Sequence, residues 1–293
     1  MRHLRSLLVL SLFLTSFAGC GDGGGETGQV MRIAFTAIPN QNTTELTAKL
    51  QPVAKYLSDK LGVEVTYVPS ADYAASVEMF TGGQIQVAWF GGLTGVQARH
   101  RVPGARAIAF GKRDPTFKSY FIAHVDTGIE KSDEFPMELA GKSFTFGSEG
   151  STSGRLMPEY FIRNITKKSP KELFGQDPAF SGSHDKTAIQ VQAGSVQTGA
   201  VDYTVYDNLV STGTIDPEVA RIVWVSPPYA DYNWTAHPSL GDEMIEKLQT
   251  ALIEMTDPSL LQAVDRPEGM IKTSNADFET LRDVAVQLEL LGR

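Results

Sequence analysis

The chain has 293 residues, a single cysteine, and 26 Lys and Arg against 34 Asp and Glu, for a net charge of −8. That length accommodates two ordinary domains with a sizeable core. The acidic balance argues against nucleic acid as a partner, and one cysteine excludes an intrachain disulfide or a multi-thiolate metal site.

At the N-terminus, Arg2 and Arg5 precede an apolar run over residues 7–14, and Phe17-Ala18-Gly19-Cys20 follows. A basic start, a short apolar stretch and small residues before a cut describe a secretory signal over 1–19. The run is well short of the ~20 residues that a membrane span needs. Cys20 stands where a bacterial lipobox places the cysteine that is cleaved and acylated, with Phe17 in place of the usual Leu. Residues 20–29 then form a Gly-rich, polar, flexible tether. Without Arg2 and Arg5, 24 basic residues face 34 acidic ones, a balance of −10. Attachment to the membrane is therefore expected from an acyl chain on Cys20 rather than from a basic patch. An anionic ligand would have to be held by local donors, because the overall charge does not attract it.

Beyond the tether, strand and helix patterns alternate. Residues 31–36 read as a strand that ends at Ala37-Ile38-Pro39-Asn40. Residues 44–61 carry Leu46, Leu50, Val53, Ala54, Leu57 and Leu61 at helical spacing and stop at Gly62. A strand follows over 63–68, then a helix over 72–80 opened by an Asp cap. The strand over 84–90 ends in Gly91-Gly92 before another short helix. The pattern restarts with a crossing strand over 119–125, a strand over 143–146, and helices over 154–163 and 185–193. Strand-like segments at 198–202 and 221–225 come next, and two polar-faced helices over 241–255 and 276–290 finish the chain. Such alternation implies an α/β fold with parallel sheets covered on both faces. The expected architecture is two α/β lobes, residues 30–115 plus 234–293 and residues 116–233. Two extended hinge crossings, near 113–120 and 226–233, would join them. A ligand cleft between such lobes collects strand ends and helix N-termini.

Six sequence blocks sharpen this picture. They are Ile38-Pro39, Asp72-Tyr73-Ala74-Ala75, Ala88-Trp89-Phe90-Gly91-Gly92, and Phe146-Gly147-Ser148-Glu149-Gly150-Ser151-Thr152-Ser153-Gly154. Phe180-Ser181-Gly182-Ser183-His184-Asp185 and Ser226-Pro227-Pro228-Tyr229-Ala230-Asp231-Tyr232-Asn233-Trp234 complete the set. In their order and spacing the chain resembles the phosphate/phosphite/phosphonate-binding proteins of ABC importers, from the first strand to Trp234. Several blocks are worded closest to a branch labelled selenate-binding. The resemblance implies a periplasmic-binding-protein-like fold and capture of a small oxyanion by interlobe closure. It also implies an ABC permease in the cytoplasmic membrane as partner, and a monomer on the periplasmic or cell-surface side of that membrane.

The residues in these blocks suit that chemistry. Ser151-Thr152-Ser153 opens a helix, where unpaired N–H groups carry a partial positive charge of roughly half an electron. Three hydroxyls there would complete a cradle for a tetrahedral oxyanion; the plainer alternative is N-capping, which needs only one. His184 can donate to an anion, with the adjacent Asp185 setting its tautomer, and the resemblance places it at the ligand. Tyr73 would supply a phenolic donor from the opposite wall, and Gly91 and Gly92 would allow close backbone approach. Asp231 repels an anion unless the ligand brings a proton or a cation. Phosphate, phosphite and phosphonates can do so, whereas sulfate and selenate are fully ionised, so Asp231 at the site favours a phosphorus oxyanion. As a mere turn residue, Asp231 would carry no such information. Tyr203 and Asp207 are further second-lobe candidates. Trp89, Phe90, Tyr229 and Trp234 serve equally as cleft floor or as core.

No Gly-x-Ser-x-Gly elbow, no His-Glu-x-x-His, no P-loop and no dinucleotide glycine fingerprint occurs, and the five histidines lack metal-ligand spacing. The expectation is a binding protein with no catalytic residue, no metal and no cofactor. Two alternatives stay open in the sequence: a selenate-type ligand, or a sensor that presents its oxyanion to a membrane receptor kinase.

Overall fold

The computed structural model describes residues 31–40 and 42–291; the expected signal segment, Cys20 and the tether lie outside them. The first strand, β1 (Arg32–Ala37), leads into α1 (Thr43–Leu61). Asn42 Oδ1 caps α1 by accepting from Thr44 N at 3.0 Å and Glu45 N at 3.2 Å. The helix stops at Gly62, whose φ of 69° is left-handed and costs glycine little. Then come β2 (Glu64–Tyr67), α2 (Tyr73–Thr81) capped by Asp72, β3 (Val87–Phe90), α3 (Gly92–Arg101) and β4 (Arg106–Gly111).

The middle of the chain holds β5 (Ser119–His124), β6 (Phe144–Phe146), α4 (Met157–Thr166), α5 (Pro170–Phe174) and β7 (Ala179–Phe180). It continues with α6 (His184–Gln192), β8 (Thr198–Asp202), α7 (Tyr203–Ser211) and β9 (Ala220–Val225). The last part supplies β10 (Asn233–Ala236), α8 (Gly241–Ile253), α9 (Pro258–Ala263), β11 (Met270–Lys272) and α10 (Glu279–Gln287).

Two sheets result, a six-stranded one in the order β11-β4-β10-β3-β1-β2 and a five-stranded one in the order β7-β6-β8-β5-β9. Parallel sheets were expected, and both are mixed. β1 is parallel to β2 and β3, but β10 is antiparallel to β3 and β4. β6 is parallel to β7 and β8, but β5 is antiparallel to β8 and β9. The physical reason is direction of entry. β5 and β10 carry the chain from one sheet into the other, so each starts at the end where its neighbours β8 and β3 stop. Residues 119–124 therefore form an interior strand of the second sheet rather than a simple crossing.

The two segments that connect the sheets run side by side. Phe117 N donates to Tyr229 O at 2.8 Å, Tyr229 N to Phe117 O at 3.0 Å, and Asp231 N to Asp114 O at 3.0 Å. A buried ion pair pins the first segment: Arg266 Nε donates to Asp114 Oδ1 and Oδ2 at 2.9 and 2.8 Å. Burial pushes the Asp114 carboxyl up to about 6 despite the adjoining guanidinium. A Cβ on Gly111 would lie 2.2 Å from Arg266 Cδ, so the strand end must be glycine to admit this side chain. Aromatic cores flank both sheets, with Phe35, Phe80, Phe90 and Trp234 fully buried in the first and Phe121, Phe144, Phe146 and Phe174 in the second. Each such ring contributes about 1.5–3 kcal/mol by leaving water.

Candidate functional site

At the facing ends of the two sheets lies a cluster of buried polar side chains. Ser151, Thr152 and Ser153 are 1, 2 and 1% exposed. The helix expected over 154–163 opens instead as a π turn over Thr152–Leu156, closed by Leu156 N to Ser151 O at 3.0 Å, and becomes α-helical at Met157. Single π turns of this kind concentrate at functional sites because they redirect one turn of backbone. Ser151 Oγ caps the turn by accepting from Gly154 N at 2.9 Å, yet also lies 3.3 Å from His184 Nε2. The first-turn N–H groups here have no acceptor within the helix. Ser153 is further anchored by its carbonyl, which accepts from Ser119 Oγ at 2.8 Å.

His184 is the first residue of α6 and is buried. Asp202 N–H donates to its Nδ1 at 3.1 Å, so the proton of the neutral ring belongs on Nε2, on the Ser151 side. Burial lowers the imidazole pKa and favours this neutral donor. The tautomer is thus set by the Asp202 backbone and not by Asp185, whose carboxylate instead accepts from Ser183 Oγ. The space around the ring is closed on one side by Gly154, where a Cβ would meet His184 Cε1 at 2.9 Å.

The opposite wall comes from the first sheet. Tyr73 opens α2, and its buried hydroxyl, near Ser151, has no well-formed hydrogen bond. Burial, with Asp202 and Asp231 nearby, pushes its pKa well up, so it stays a donor. Gly91 and Gly92 form the turn from β3 into α3, but their neighbourhood is already engaged: Gly92 N donates to Asp231 Oδ1 at 2.7 Å, and Leu93 N to Thr152 Oγ1 at 3.0 Å. Asp231 is wholly buried in the second connecting segment. Its Oδ1 also accepts from Tyr232 N at 2.8 Å, while Oδ2 has no partner. Burial pushes this carboxyl up to about 7, against the pull of the two N–H donors.

Tyr73, Gly91, Gly92, Ser151, Thr152, Ser153, His184 and Asp231 thus come together. Tyr203 does not join them: its ring packs at 4.8 Å from that of Phe117 and 5.9 Å from that of Tyr120. Asp207 lies beyond it, 3.4 Å from the Tyr120 hydroxyl. Three residues not named as candidates belong to the cluster. Tyr232 OH donates to Asp202 Oδ2 at 2.8 Å and accepts from Asn40 Nδ2 at 2.9 Å, and the Asn40 carbonyl accepts from His184 N at 3.3 Å. The available signal was Asp202 itself, an Asp cap between a strand and a helix.

Leaving a buried polar atom unpaired costs about 1–3 kcal/mol, and two residues of this cluster carry such atoms, Tyr73 Oη and Asp231 Oδ2. The arrangement offers hydroxyls, a neutral imidazole N–H and helix-start N–H groups, with one acceptor carboxylate. A tetrahedral oxyanion that carries a single proton matches that set.

Residues 35–278 match the family described as ABC transporter, phosphonate, periplasmic substrate-binding protein. The chain is 33% identical over 262 residues to the probable ABC transporter phosphite binding protein PhnD1 of Prochlorococcus marinus, spanning 86% of this chain and 88% of that one. It is 29% identical over 273 residues to the phosphate-import protein PhnD of Mycolicibacterium smegmatis, spanning 86% and 84%. The solved structure of Prochlorococcus PhnD1 with methylphosphonate aligns at TM-score 0.82 and 32% identity, over 88% of this chain and 98% of that one. A component of an ABC phosphonate transporter from Pseudomonas aeruginosa shares the fold at TM-score 0.76 and 19% identity, over 88% and 86%. These relatives bear out the expected two-lobed binding-protein fold and do not favour the selenate alternative. The chain belongs to the periplasmic phosphonate-type substrate-binding proteins of ABC transporters.

Proposed function

We propose that this chain captures a small, singly protonated phosphorus oxyanion (phosphite, a phosphonate or phosphate) between its lobes and hands it to an ABC permease. The observation that carries this is the pair of buried unpartnered atoms, Tyr73 Oη and Asp231 Oδ2, beside Ser151, Thr152 and His184. Tyr73, Ser151, Thr152, Ser153 and His184 would donate to the oxyanion, and Asp231 would share its proton. Gly91 and Gly92 would let the first wall come close. Residues 30–115 with 234–293 would act as one lobe and 116–233 as the other, hinged at 113–120 and 226–233. Ligand favours the closed state because only there does it touch both walls. The role requires no bond to be made or broken, in keeping with relatives that are transport binding proteins. An acyl chain on Cys20 would hold a monomer at the periplasmic or cell-surface face of the membrane.

Thermal denaturation of the purified chain tests this against phosphite, methylphosphonate, phosphate, sulfate and selenate. A ligand at about 100 times its Kd adds about 2.7 kcal/mol, a shift of several degrees. Stabilisation by a phosphorus oxyanion that disappears in His184→Ala is the expected result. Stabilisation by sulfate or selenate alone would remove Asp231 from the site, and no stabilisation at all would overturn the oxyanion function.

A further inference from the structure

We propose that Tyr232 is a specificity-determining residue: by occupying Asp202 it leaves the site with one free carboxylate oxygen, and so selects compact oxyanions over those carrying an ammonium tail. The oxyanion site proposed above is the footing for this.

Asp202 sits beside that site, since its backbone N–H donates to His184 Nδ1 at 3.1 Å. Its carboxylate would be the natural partner for a cationic group on a ligand. Yet both of its oxygens are engaged within the protein. Oδ1 accepts from Thr204 N and Thr204 Oγ1, each at 2.7 Å, and from Val205 N at 3.3 Å. Oδ2 accepts from Tyr232 OH at 2.8 Å. Oδ1 is thereby filled, and the Tyr232 hydroxyl covers the one oxygen left on a wholly buried side chain. Tyr232 cannot turn away easily. Its ring is stacked on Trp89 with centroids 5.6 Å apart, the Arg266 guanidinium lies over the same ring at 4.6 Å from its centroid, and its hydroxyl also accepts from Asn40 at 2.9 Å. Its φ of 22° is rare for a side chain of this size and marks a backbone held in place by these contacts.

The remaining carboxylate oxygen, Asp231 Oδ2, is buried without a hydrogen-bond partner. With Asp231 sharing the proton of the oxyanion and Asp202 held by Tyr232, an ammonium tail would be buried with no carboxylate oxygen left to pair it, which is strongly unfavourable. The walls also leave little room. A single carbon added at Gly150 would stand 2.8 Å from Tyr73 Cβ, and one at Gly91 would stand 3.2 Å from Thr152 Oγ1.

Calorimetric titration of the full chain with methylphosphonate and with 2-aminoethylphosphonate reads the selectivity directly. Wild type is expected to bind methylphosphonate at least about tenfold more tightly, the span of one well-placed polar contact. In Tyr232→Phe, which frees Asp202 Oδ2, that ratio should narrow by about tenfold. Asp202→Asn gives an independent check should Tyr232→Phe fold poorly. If Asp202 is occupied, its neutralisation leaves the ratio within about twofold; if it serves an ammonium, the ratio moves by about tenfold or more. Equal affinity of wild type for both ligands, an unchanged ratio in Tyr232→Phe, or a large change in Asp202→Asn would overturn the role of Tyr232 while leaving oxyanion binding intact. Binding of neither ligand would overturn the oxyanion function together with it.

Discussion

Asp231 is the residue on which the proposed ligand chemistry turns. In the folded protein its carboxyl is pushed up to about 7 by burial, whereas an unfolded chain holds Asp near about 3.9. The folded state therefore binds more protons between those values, and stability falls as pH rises from about 4 through about 7, then levels off. Asp231→Asn keeps an acceptor for Gly92 N and Tyr232 N but has no proton to lose. Ligand-free Asp231→Asn should thus melt close to wild type near pH 4 and clearly above it at pH 8, by up to a few kcal/mol. Calorimetric melting at the two pH values checks this, and the comparison with wild type cancels the separate titration of Asp114. The same variant would present an amide N–H to the ligand, so it should gain affinity for sulfate and lose at least about tenfold for phosphite. Unaltered ligand preference would move Asp231 out of contact with the oxyanion.

Among the elements, the π turn at Thr152–Leu156 aligns the donors, and Gly154 sets its clearance. An alanine there would gain up to about 1 kcal/mol of helix propensity. Its Cβ would, however, stand 2.9 Å from His184 Cε1, 3.0 Å from Ser151 Oγ and 3.1 Å from Gly147 Cα. The last is backbone and cannot swing aside, so Gly154→Ala should cost about 1–3 kcal/mol in denaturant unfolding and weaken oxyanion binding in parallel. The sequence exposed the elements whose signals are local. The first helix was legible over residues 44–61 through its spacing and its stop at Gly62, and β8 was found at its true bounds. β4 and β10 were missed because nearly every position in them is buried, which erases alternation, and because pairing with each other and with β3 defines them. α7 begins with Tyr203, Thr204 and Val205, poor helix formers that only the Asp202 cap and packing turn into a helix. In the site, Ser151 and His184 were legible from their blocks, while Asn40, Asp202 and Tyr232 were not. Asp202 offered only the signal of a helix cap, and the roles of Asn40 and Tyr232 arise from hydrogen bonds between segments up to 192 residues apart, which no local pattern encodes.

For the whole molecule, the proposed function rests on closure, and Gly150 is where that can be tested. A Cβ at this position would meet Tyr73 Cβ at 2.8 Å and Thr94 Cγ2 at 3.4 Å. Tyr73 and Thr94 lie on α2 and α3 beside the first sheet, whereas Gly150 precedes the π turn beside the second. A methyl group there acts as a wedge between the halves and presses on Tyr73, a residue of the first core. An open ligand-free protein should accommodate it, so Gly150→Ala should unfold within about 0.5 kcal/mol of wild type, as an ordinary surface substitution does. The closed state must instead shift to make space, and affinity for methylphosphonate should fall by at least about tenfold. Gly92→Ala supplies the contrast. Its Cβ would lie 2.3 Å from Leu281 Cδ1, a clash inside the first half that lowers stability with or without ligand. Small-angle scattering separates the two cases: wild type should contract on adding methylphosphonate, and Gly150→Ala should contract less at the same fractional saturation. Full contraction with unchanged affinity in Gly150→Ala would mean that the wall of Tyr73 and the turn at Gly150 do not meet in the loaded protein, and the capture geometry would then have to be redrawn around a wider cleft.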